Sequence, residues 1–581
     1  MVVKFRPCWI CAVAILVGLV ALDSLSLISS RLNEHQDSIQ YLTSLVQFDQ
    51  NLRAGRYSPE WGPDLGRGYG QPLFVFLPPG FYWVAGGFHW AGLTKTAAIN
   101  ATLLSAVLFS ALGMFVWTGR WLGSGAALVA GAAYIYAPYF HVDLYVRGAY
   151  GEFMAFAVFP WVLWALDGLL LGAEGVLARL VAAVSFALVF LTHNPMALIF
   201  APVVLLYAAA LAFMLRVGWR RFLEALLFLG LGAGLSAFFW VPALWLKGEV
   251  STGRLLHGYL AYYNHLIYLK QLFYSPWGYG ILLAGPHDGM SQKFGELHWL
   301  GLVVCLAYVI GGRGLNYSLR NFRALPAELG WAAVLCMVTL YGLFFSTYYA
   351  KFIWDRLQTL QYLQFGMRFL AVATLGGSAL VGMLAFWLRR RLTPKSGGLF
   401  AESGVSALFL AAILALNWGH AHPPRKHGYG EEAYSPERIA RYGYTANNKN
   451  EFQPRRVWVE PAYSRQGAQV IEGEADLISS QRRPFQTLLE VVVHSSEARL
   501  QINRAYFPGW ELLIDGQAAD ISYDNPYGAI RLRLPRGRHK VEARFTKSRE
   551  RALMEKVSLG FLLLLLGATV SFGRRRFAGG D

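Results

Sequence analysis

The sequence predicts an α-helical polytopic membrane protein of about 12 spans with a C-terminal, extracytoplasmic β-sandwich-like domain. Composition is the first observation: 55% of the 581 residues are hydrophobic and only 15% are charged, whereas soluble domains carry about 25% charged residues. The apolar residues fall in blocks of roughly 17–25, the length that crosses a bilayer as a helix. After residue 417, short strand-like patterns replace these blocks.

Twelve apolar segments are predicted to cross the membrane. Basic residues precede the first segment and no clear small-residue cleavage site follows it, so we expect an uncleaved span with Lys4 and Arg6 in the cytoplasm. The predicted spans are 8–30, 97–117, 121–138, 152–171, 176–192, 196–215, 222–243, 296–311, 328–347, 368–388, 399–417 and 556–573.

The basic residues orient these spans. Cytoplasmic loops of membrane proteins are rich in Lys and Arg, and with the N-terminus inside the basic clusters fall on one side. These clusters contain Arg120, Arg179, 216–221, 311–323, 389–395 and 574–576. The orientation requires that 73–93, interrupted by Pro78 and Pro79, is interfacial or re-entrant; a crossing there would invert the later topology or require another span. The outer side then receives 31–96, 139–152, 244–295 and 418–555.

Residues 418–555 have the pattern of a small β-domain. Runs such as "AIRLRL" and "KVEARF" alternate apolar and polar residues, which is typical of half-buried antiparallel strands. Turn sequences separate the runs, among them Asp515-Gly516 and Pro508-Gly509. We therefore predict three parts: a multispan domain at 1–417, an outer β-domain at 418–555, and a last helix with a basic cytoplasmic tail at 556–581.

The composition excludes several function classes. The net charge of +17 fits cytoplasmic loops and anionic lipid headgroups better than a nucleic-acid partner. The four cysteines lie in or beside apolar segments and predict small hydrophobic side chains rather than a redox or zinc site. No P-loop, catalytic-serine motif or zinc-ligand pattern is present. The sequence thus identifies no metal ligands and no certain cofactor, and leaves a divalent cation open.

An acidic residue follows the first span closely. Asp37 lies beside His35, and Tyr41 follows it four residues later on the same helix face. An acid at an outer membrane boundary can act as a general base toward a hydroxyl or amine. Asp37 is therefore the first catalytic candidate; the alternative is a solvated helix start.

The segment 53–79 alternates aromatic residues with Gly and Pro. Aromatic side chains such as Trp61 and Tyr69 suit a membrane interface and can stack on sugar rings or lipid tails. The glycines at 66, 68 and 70 allow close backbone approach to a ligand. Trp61 and Tyr69 are therefore substrate-binding candidates, and an ordinary interfacial loop is the alternative.

Four further candidates lie at outer ends of predicted spans. Arg147 can bind a phosphate through its forked guanidinium group, and Glu152 can pair with it or act as a second catalytic carboxylate. Arg368 can meet a lipid phosphate or extend to the interface. His193, in "LTHNP", is a binding candidate or a hydrogen-bonded structural residue. A local Arg–Glu pair that anchors the helix is the alternative for the first two.

An early outer acid, a long first loop, many spans and a late outer domain resemble the GT-C class of membrane glycosyltransferases. The segments "GRYSPEWGPDLGRGYGQPLFVFLPPGFYW", "VRGAYGEFMAFAVFPWVLWAL", "LTHNP" and "LQFGMRFL" resemble more closely a bacterial family labelled 6-pyruvoyl-tetrahydropterin synthase-related membrane protein, similar to YfhO-type proteins. "RAYFPGWELLIDGQ" and "LPRGRHKVEARF" resemble that group's C-terminal β-domain. The pterin label implies little, because that synthase is a soluble zinc enzyme and this chain lacks a convincing His triad.

The GT-C resemblance implies transfer of a sugar from a polyprenyl-phosphate carrier to an envelope glycan, lipid or protein. The reaction would take place at the outer face of the bacterial cytoplasmic membrane. By position, Asp37 matches the proposed base of that class, and Arg147 and Arg368 match arginines that take the carrier phosphate. The chain departs from the family at Tyr41, where members often have His, and in "LQFGMRFL", where "LQFPWRFL" is usual.

Two other functions stay open at the level of sequence. The outer side carries few acids, which favours a non-enzymatic scaffold or accessory subunit of polysaccharide assembly. A transporter is the third hypothesis, although transporters usually show broken or charged midplane helices and repeated halves.

Overall fold

The structure, a computed structural model, describes residues 7–33, 35–172, 175–311, 326–392, 399–421, 423, 430–446, 450–464 and 466–577. Helices of the first half are α1 Pro7–Asp23, α2 Ser38–Arg53, α3 Leu73–Phe76, α4 Gly80–Trp90, α5 Lys95–Leu122, α6 Ser124–Ile135, α7 Pro138–His141, α8 Tyr150–Leu171, α9 Gly175–Thr192, α10 Asn194–Met214, α11 Trp219–Leu235, α12 Ala237–Trp245 and α13 Leu269–Phe273. Those of the second half are α14 Glu296–Gly311, α15 Ala327–Ser346, α16 Lys351–Trp354, α17 Gln358–Gln361, α18 Leu370–Leu392, α19 Leu399–Asn417, α20 Pro436–Tyr442 and α21 Arg549–Phe577.

The described residues contain eight helices that are long and apolar enough to cross a membrane. The bent pair α11–α12 meets the same criteria when it is counted as one span, and α1, α6 and α14 are shorter apolar helices. All twelve predicted spans coincide with helices of this set. The predicted class, a polytopic helical membrane protein with a C-terminal antiparallel β-domain, is confirmed. Lys4, Arg6 and most of the basic loop 311–323 lie outside the described residues.

Residues 73–93 form two short helices, α3 and α4, rather than one long one. The 11 residues of α4 rise about 16 Å as a helix, which is well short of the roughly 30 Å hydrocarbon core. Phe81 and Tyr82 of α4 are buried and lie against Tyr41 of α2. The segment therefore contains no single helix of spanning length, and its interfacial or re-entrant position stays a prediction.

A break between α11 and α12 bends that span by 65°. The last helix satisfies the backbone groups that the break frees: the Phe238 N–H donates to Ser558 Oγ at 2.9 Å, and the Ser558 hydroxyl donates to the Gly234 carbonyl at 3.0 Å. A backbone break at membrane depth requires such partners, because lipid offers none. Ser558 therefore links α21 to the bend through these two hydrogen bonds.

The β-domain consists of strands β1 Ala468–Glu472, β2 Ala475–Arg483, β3 Gln486–Ala505, β4 Trp510–Ile514, β5 Gln517–Ala519 and β6 Ala529–Phe545. They form one antiparallel sheet of order β1-β3-β6-β4-β5, and β2 also pairs with β3. The predicted C-terminal antiparallel β-domain is confirmed, and its described strands are joined in a single hydrogen-bonded sheet. The long strands β3 and β6 pair on both sides of a register shift between residues 493 and 497 of β3. Such an irregularity allows the strands to bend. The last helix begins at Arg549 rather than at 556.

The first loop packs against this sheet. Trp61 is 0% exposed and stacks on Phe545, with ring centroids 4.9 Å apart. The Tyr69 hydroxyl donates to Asn503 Oδ1 at 2.9 Å. Trp61 and Tyr69, which were predicted to contact substrate, are thus buried in the interface between the loop and the sheet. We therefore withdraw their proposed substrate contact.

Candidate functional site: a buried carboxylate–guanidinium cluster

Glu152, in the first turn of α8, is the centre of a buried ionic cluster. Its side chain is 0% exposed. Arg147 Nη1 lies 3.0 Å from Oε1, and Arg368 Nε lies 3.0 Å from Oε2. The Tyr139 hydroxyl also donates to Oε1, at 2.5 Å. Because both carboxylate oxygens are occupied, Glu152 positions the two arginines, and its predicted role as a second catalytic carboxylate is not supported by this geometry.

The segment before α8 presents Arg147 to this cluster. Residues Val142–Arg147 form a short π-helix, a rare element that often marks functional sites. Asp143 lies four residues before Arg147 and pairs with it at 2.6 Å. Gly148 then ends the π-helix in the left-handed conformation, with φ +65°. The chain thereby turns sharply between Arg147 and Glu152, so that both side chains meet.

Asp37 lies against the same turn. Its backbone N–H donates to the Arg147 carbonyl at 2.9 Å. Asp37 occupies the N-cap position of α2, but its side chain makes no capping hydrogen bond, and no other donor in the described ranges contacts the half-buried carboxylate. Burial raises the pKa of Asp37 to about 6, against the opposing effect of Arg147 and Arg368. The pKa of the Asp37 carboxyl group therefore lies close to neutral pH.

Gly148 permits the approach of the Asp37 loop to the arginine turn. A Cβ on Gly148 would lie 2.8 Å from the Cβ of His35, which is closer than real contacts allow. We expect Gly148→Ala to cost about 1–3 kcal/mol, from the positive φ and from this clash, and to displace Asp37. The midpoint of thermal unfolding in detergent measures the loss. Gly258→Ala is the matched control, because Gly258 has φ +66° but open space around it; equal losses would contradict the role of the contact.

Tyr41 and His193 border the cluster from the side of α8. The Tyr41 oxygen accepts a hydrogen bond from the Gly151 N–H at 2.7 Å, and its ring lies 4.8 Å from that of Tyr150. His193 Nδ1 is buried without a hydrogen-bond partner in the described part of the chain. Burial, with a further contribution from Arg368, lowers the pKa of His193 to about 3, so the imidazole is neutral at physiological pH.

Two acids face the two arginines of the cluster. Glu152 contacts both guanidinium groups, and Asp143 pairs with Arg147. Burial, reinforced by the negative charge of Glu152, raises the pKa of Asp143 well above its ordinary value, whereas arginine keeps its charge in proteins. Among the described residues, Arg368 has one carboxylate partner, Glu152, which it shares with Arg147. The two guanidinium groups are therefore held by a common carboxylate.

The structure brings most of the predicted site residues together. Asp37, Tyr41, Arg147, Glu152, His193 and Arg368 form or border the cluster. His35 lies at the edge, with its ring 6.5 Å from that of Tyr145. Sequence reasoning missed Tyr139, Asp143 and Phe365, whose ring lies under both arginines. Only Asp143 carried a signal, its spacing of four residues from Arg147. In the described ranges, no three His, Cys, Asp or Glu side chains converge as metal ligands.

Fold and site together define a multi-pass helical membrane protein with an antiparallel β-domain and a buried carboxylate–guanidinium cluster. No protein-family model matches the sequence, and no curated protein matches it. Similar solved structures include arabinofuranosyltransferase AftD from Mycobacteria, at 17% identity and TM-score 0.42 over 72% of this chain and 27% of that chain.

Two other solved structures are similar over comparable shares of this chain. One is the archaeal oligosaccharyltransferase AglB from Archaeoglobus fulgidus, in complex with an inhibitory peptide and a dolichol-phosphate, at 10% identity and TM-score 0.41 over 70% of this chain and 55% of that chain. The other is ArnT from Cupriavidus metallidurans bound to undecaprenyl phosphate. Its identity is 14% and its TM-score 0.31, over 71% of this chain and 89% of that chain. The chain thus spans about a quarter of AftD and about half of AglB.

Proposed function

We propose that the protein is a glycosyltransferase that moves a sugar from a polyprenyl-phosphate carrier to an envelope glycan, lipid or protein, at the outer face of the bacterial cytoplasmic membrane. The observation that carries this proposal is the state of Asp37. It is a half-buried carboxylate with a pKa of about 6, without a donor in the described residues, beside two buried arginines. A structural ion pair would not leave its carboxylate unpartnered.

Asp37 is the general base in this proposal. It takes the proton from the acceptor hydroxyl or amine while the acceptor atom attacks the anomeric carbon of the sugar. The bond from that carbon to the phosphate oxygen of the carrier breaks at the same time, and the electron pair leaves with the phosphate. A pKa near the working pH suits this task, because the base is ionised before the reaction and still accepts a proton during it.

Arg147 and Arg368 receive the carrier phosphate. Both guanidinium groups are held by Glu152, which spares the reaction the cost of orienting them. The negative charge of the phosphate then lies beside two positive charges that share one carboxylate. Phosphate leaves readily as an anion, so the mechanism needs no strong general acid.

His193 and Tyr41 are assigned to the sugar. A neutral imidazole can both donate and accept one hydrogen bond, which suits a sugar hydroxyl. The Tyr41 oxygen already accepts from Gly151, and its own proton is available for a second hydrogen bond. His35, half-buried at the edge of the cluster, is assigned to the rim of the same pocket.

Turnover as a function of pH tests the proposal. Purified protein is supplied with a polyprenyl-phosphate-linked, radiolabelled sugar and a mixture of envelope acceptors, and transferred label is counted between pH 4.5 and 8.5. Because only ionised Asp37 can accept the proton, kcat/KM should be flat above pH 7 and fall about tenfold per unit below a midpoint near pH 6. Carrier binding without turnover at any pH would contradict the proposal and favour an accessory subunit.

A further inference from the structure

A cavity of about 570 Å³ lies between the first loop and the β-domain, away from the cluster. Small-molecule sites typically occupy about 300–1,000 Å³. The wall carries several polar and charged side chains, among them Asp64, Glu437, Tyr463, Arg482, Arg483 and Arg504. Nothing in the proposed transfer reaction uses these residues.

Two arginines in the wall form no ion pair with a carboxylate of the described residues. Arg504 is 1% exposed and Arg482 is half-buried. Among the described residues, neither has a carboxylate within ion-pair distance; Asp64 acts on both only from further away. Burial and the adjacent Arg482 lower the pKa of Arg504 to about 9. Keeping like charges together in a buried place is costly, and an anion in the cavity would remove that cost.

The first loop holds the two guanidinium groups in place through neutral acceptors. Arg482 Nη2 donates to the Gly68 carbonyl, and Arg504 Nη1 donates to the Pro63 carbonyl at 3.2 Å. Gly68 has φ +88°, and a Cβ there would lie 2.5 Å from Arg482 Nη2. The carbonyls satisfy hydrogen bonds but carry no negative charge of their own. The arginines are therefore oriented in advance and still able to attract an anion.

We propose that this cavity binds an anionic saccharide, a sugar that carries a carboxylate or phosphate group. Arginine binds both groups through charge-assisted hydrogen bonds, and the exposed Arg483 extends the positive side of the wall. Asp64 and Glu437 supply acceptors for sugar hydroxyls, and the Tyr463 ring offers a face for stacking. The two acids would repel a bare polyanion, so the mixed wall favours a hydroxyl-rich ligand with isolated charges.

Helix α2 connects this cavity to the cluster. Asp37 precedes α2, and Gln50, which also lines the cavity, lies near its other end; the helix spans about 20 Å between them. An extended glycan could present one end to Asp37 and place a remote charged sugar in the cavity. This role as part of the acceptor site rests on the proposed function, whereas saccharide binding itself does not.

Calorimetric titration of the full-length protein in detergent tests the proposal. The probes are glucuronate, its neutral counterpart glucose, and glucose 6-phosphate as the phosphorylated sugar. At low salt we expect at least one anionic probe to bind tenfold or more tighter than glucose, and the stronger of the two identifies the preferred anion. Equal binding of the neutral probe, or no binding of either anionic probe, would overturn the proposal.

Substitutions locate the binding. Arg483→Gln should raise the Kd of the anionic probe at least threefold, and its exposed position should leave folding intact. Arg536→Gln is the matched control, because this exposed arginine of β6 removes the same charge but does not line the cavity; an equal effect would refute the site. Asp37→Asn should leave the Kd unchanged, so that loss of transfer and loss of saccharide binding are told apart.

Discussion

Replacing Asp37 with Asn is expected to lower sugar transfer by at least a hundredfold, and by up to about ten-thousandfold, the range that a positioned general base contributes. The amide has nearly the same shape as the carboxylate and keeps the backbone hydrogen bond to Arg147, but it cannot take the acceptor proton. The residual rate should also lose the acidic limb of its pH profile. Label transfer at pH 7.5 and at pH 5.5 measures both effects.

The control for this variant is Asp355→Asn, which removes a carboxylate paired with Lys351 on the surface. It should transfer sugar at the wild-type rate. The Asp37→Asn variant should also unfold within about a degree of the wild type, since the Asp37 side chain has no donor to lose in the described structure. Normal sugar transfer by a folded Asp37→Asn protein would show that Asp37 is not the general base.

Replacing Glu152 with Gln is expected to produce the largest loss of stability, about 3–5 kcal/mol, which is the cost of removing one partner from a buried ion pair. The amide occupies the same space but leaves Arg147 and Arg368 without their shared counter-charge in a site that is 0% exposed. Denaturant-induced unfolding in detergent measures the free energy of unfolding.

A double-mutant cycle separates charge from packing at this position. Adding Arg368→Gln to Glu152→Gln removes one of the stranded positive charges, so the double variant should be more stable than the sum of the single losses by about 1–3 kcal/mol. Additive losses, or a Glu152→Gln variant within about 1 kcal/mol of the wild type, would show that the cluster is not held by its ion pairs.

The helical part of the fold could be predicted from sequence because hydropathy acts locally. Each span must bury or expose its own apolar surface, so length and composition suffice to find it, and all twelve predicted segments are helical. The bend between α11 and α12 was not predicted. Its partner, Ser558, lies more than 300 residues further along the chain, and no local pattern encodes such a distant hydrogen bond.

The candidate site could be predicted residue by residue but not as an arrangement. Charged groups at the ends of spans are costly, which singled out Arg147, Glu152 and Arg368. Their mutual contacts join residues 216 positions apart and follow only from the packing of α8 against α18. Trp61 was misassigned because an interfacial aromatic and a domain-interface aromatic have the same local sequence pattern.

The hydrogen bonds of Ser558 across the helix bend have a consequence for biogenesis. The bent span is made early, but its freed backbone groups find their partner only when residues 549–570 have left the ribosome and entered the bilayer. By then the intervening β-domain has already been synthesised. The membrane domain is therefore expected to wait in an incomplete state during synthesis, exposed to insertion chaperones and membrane proteases, until its final helix closes the gap.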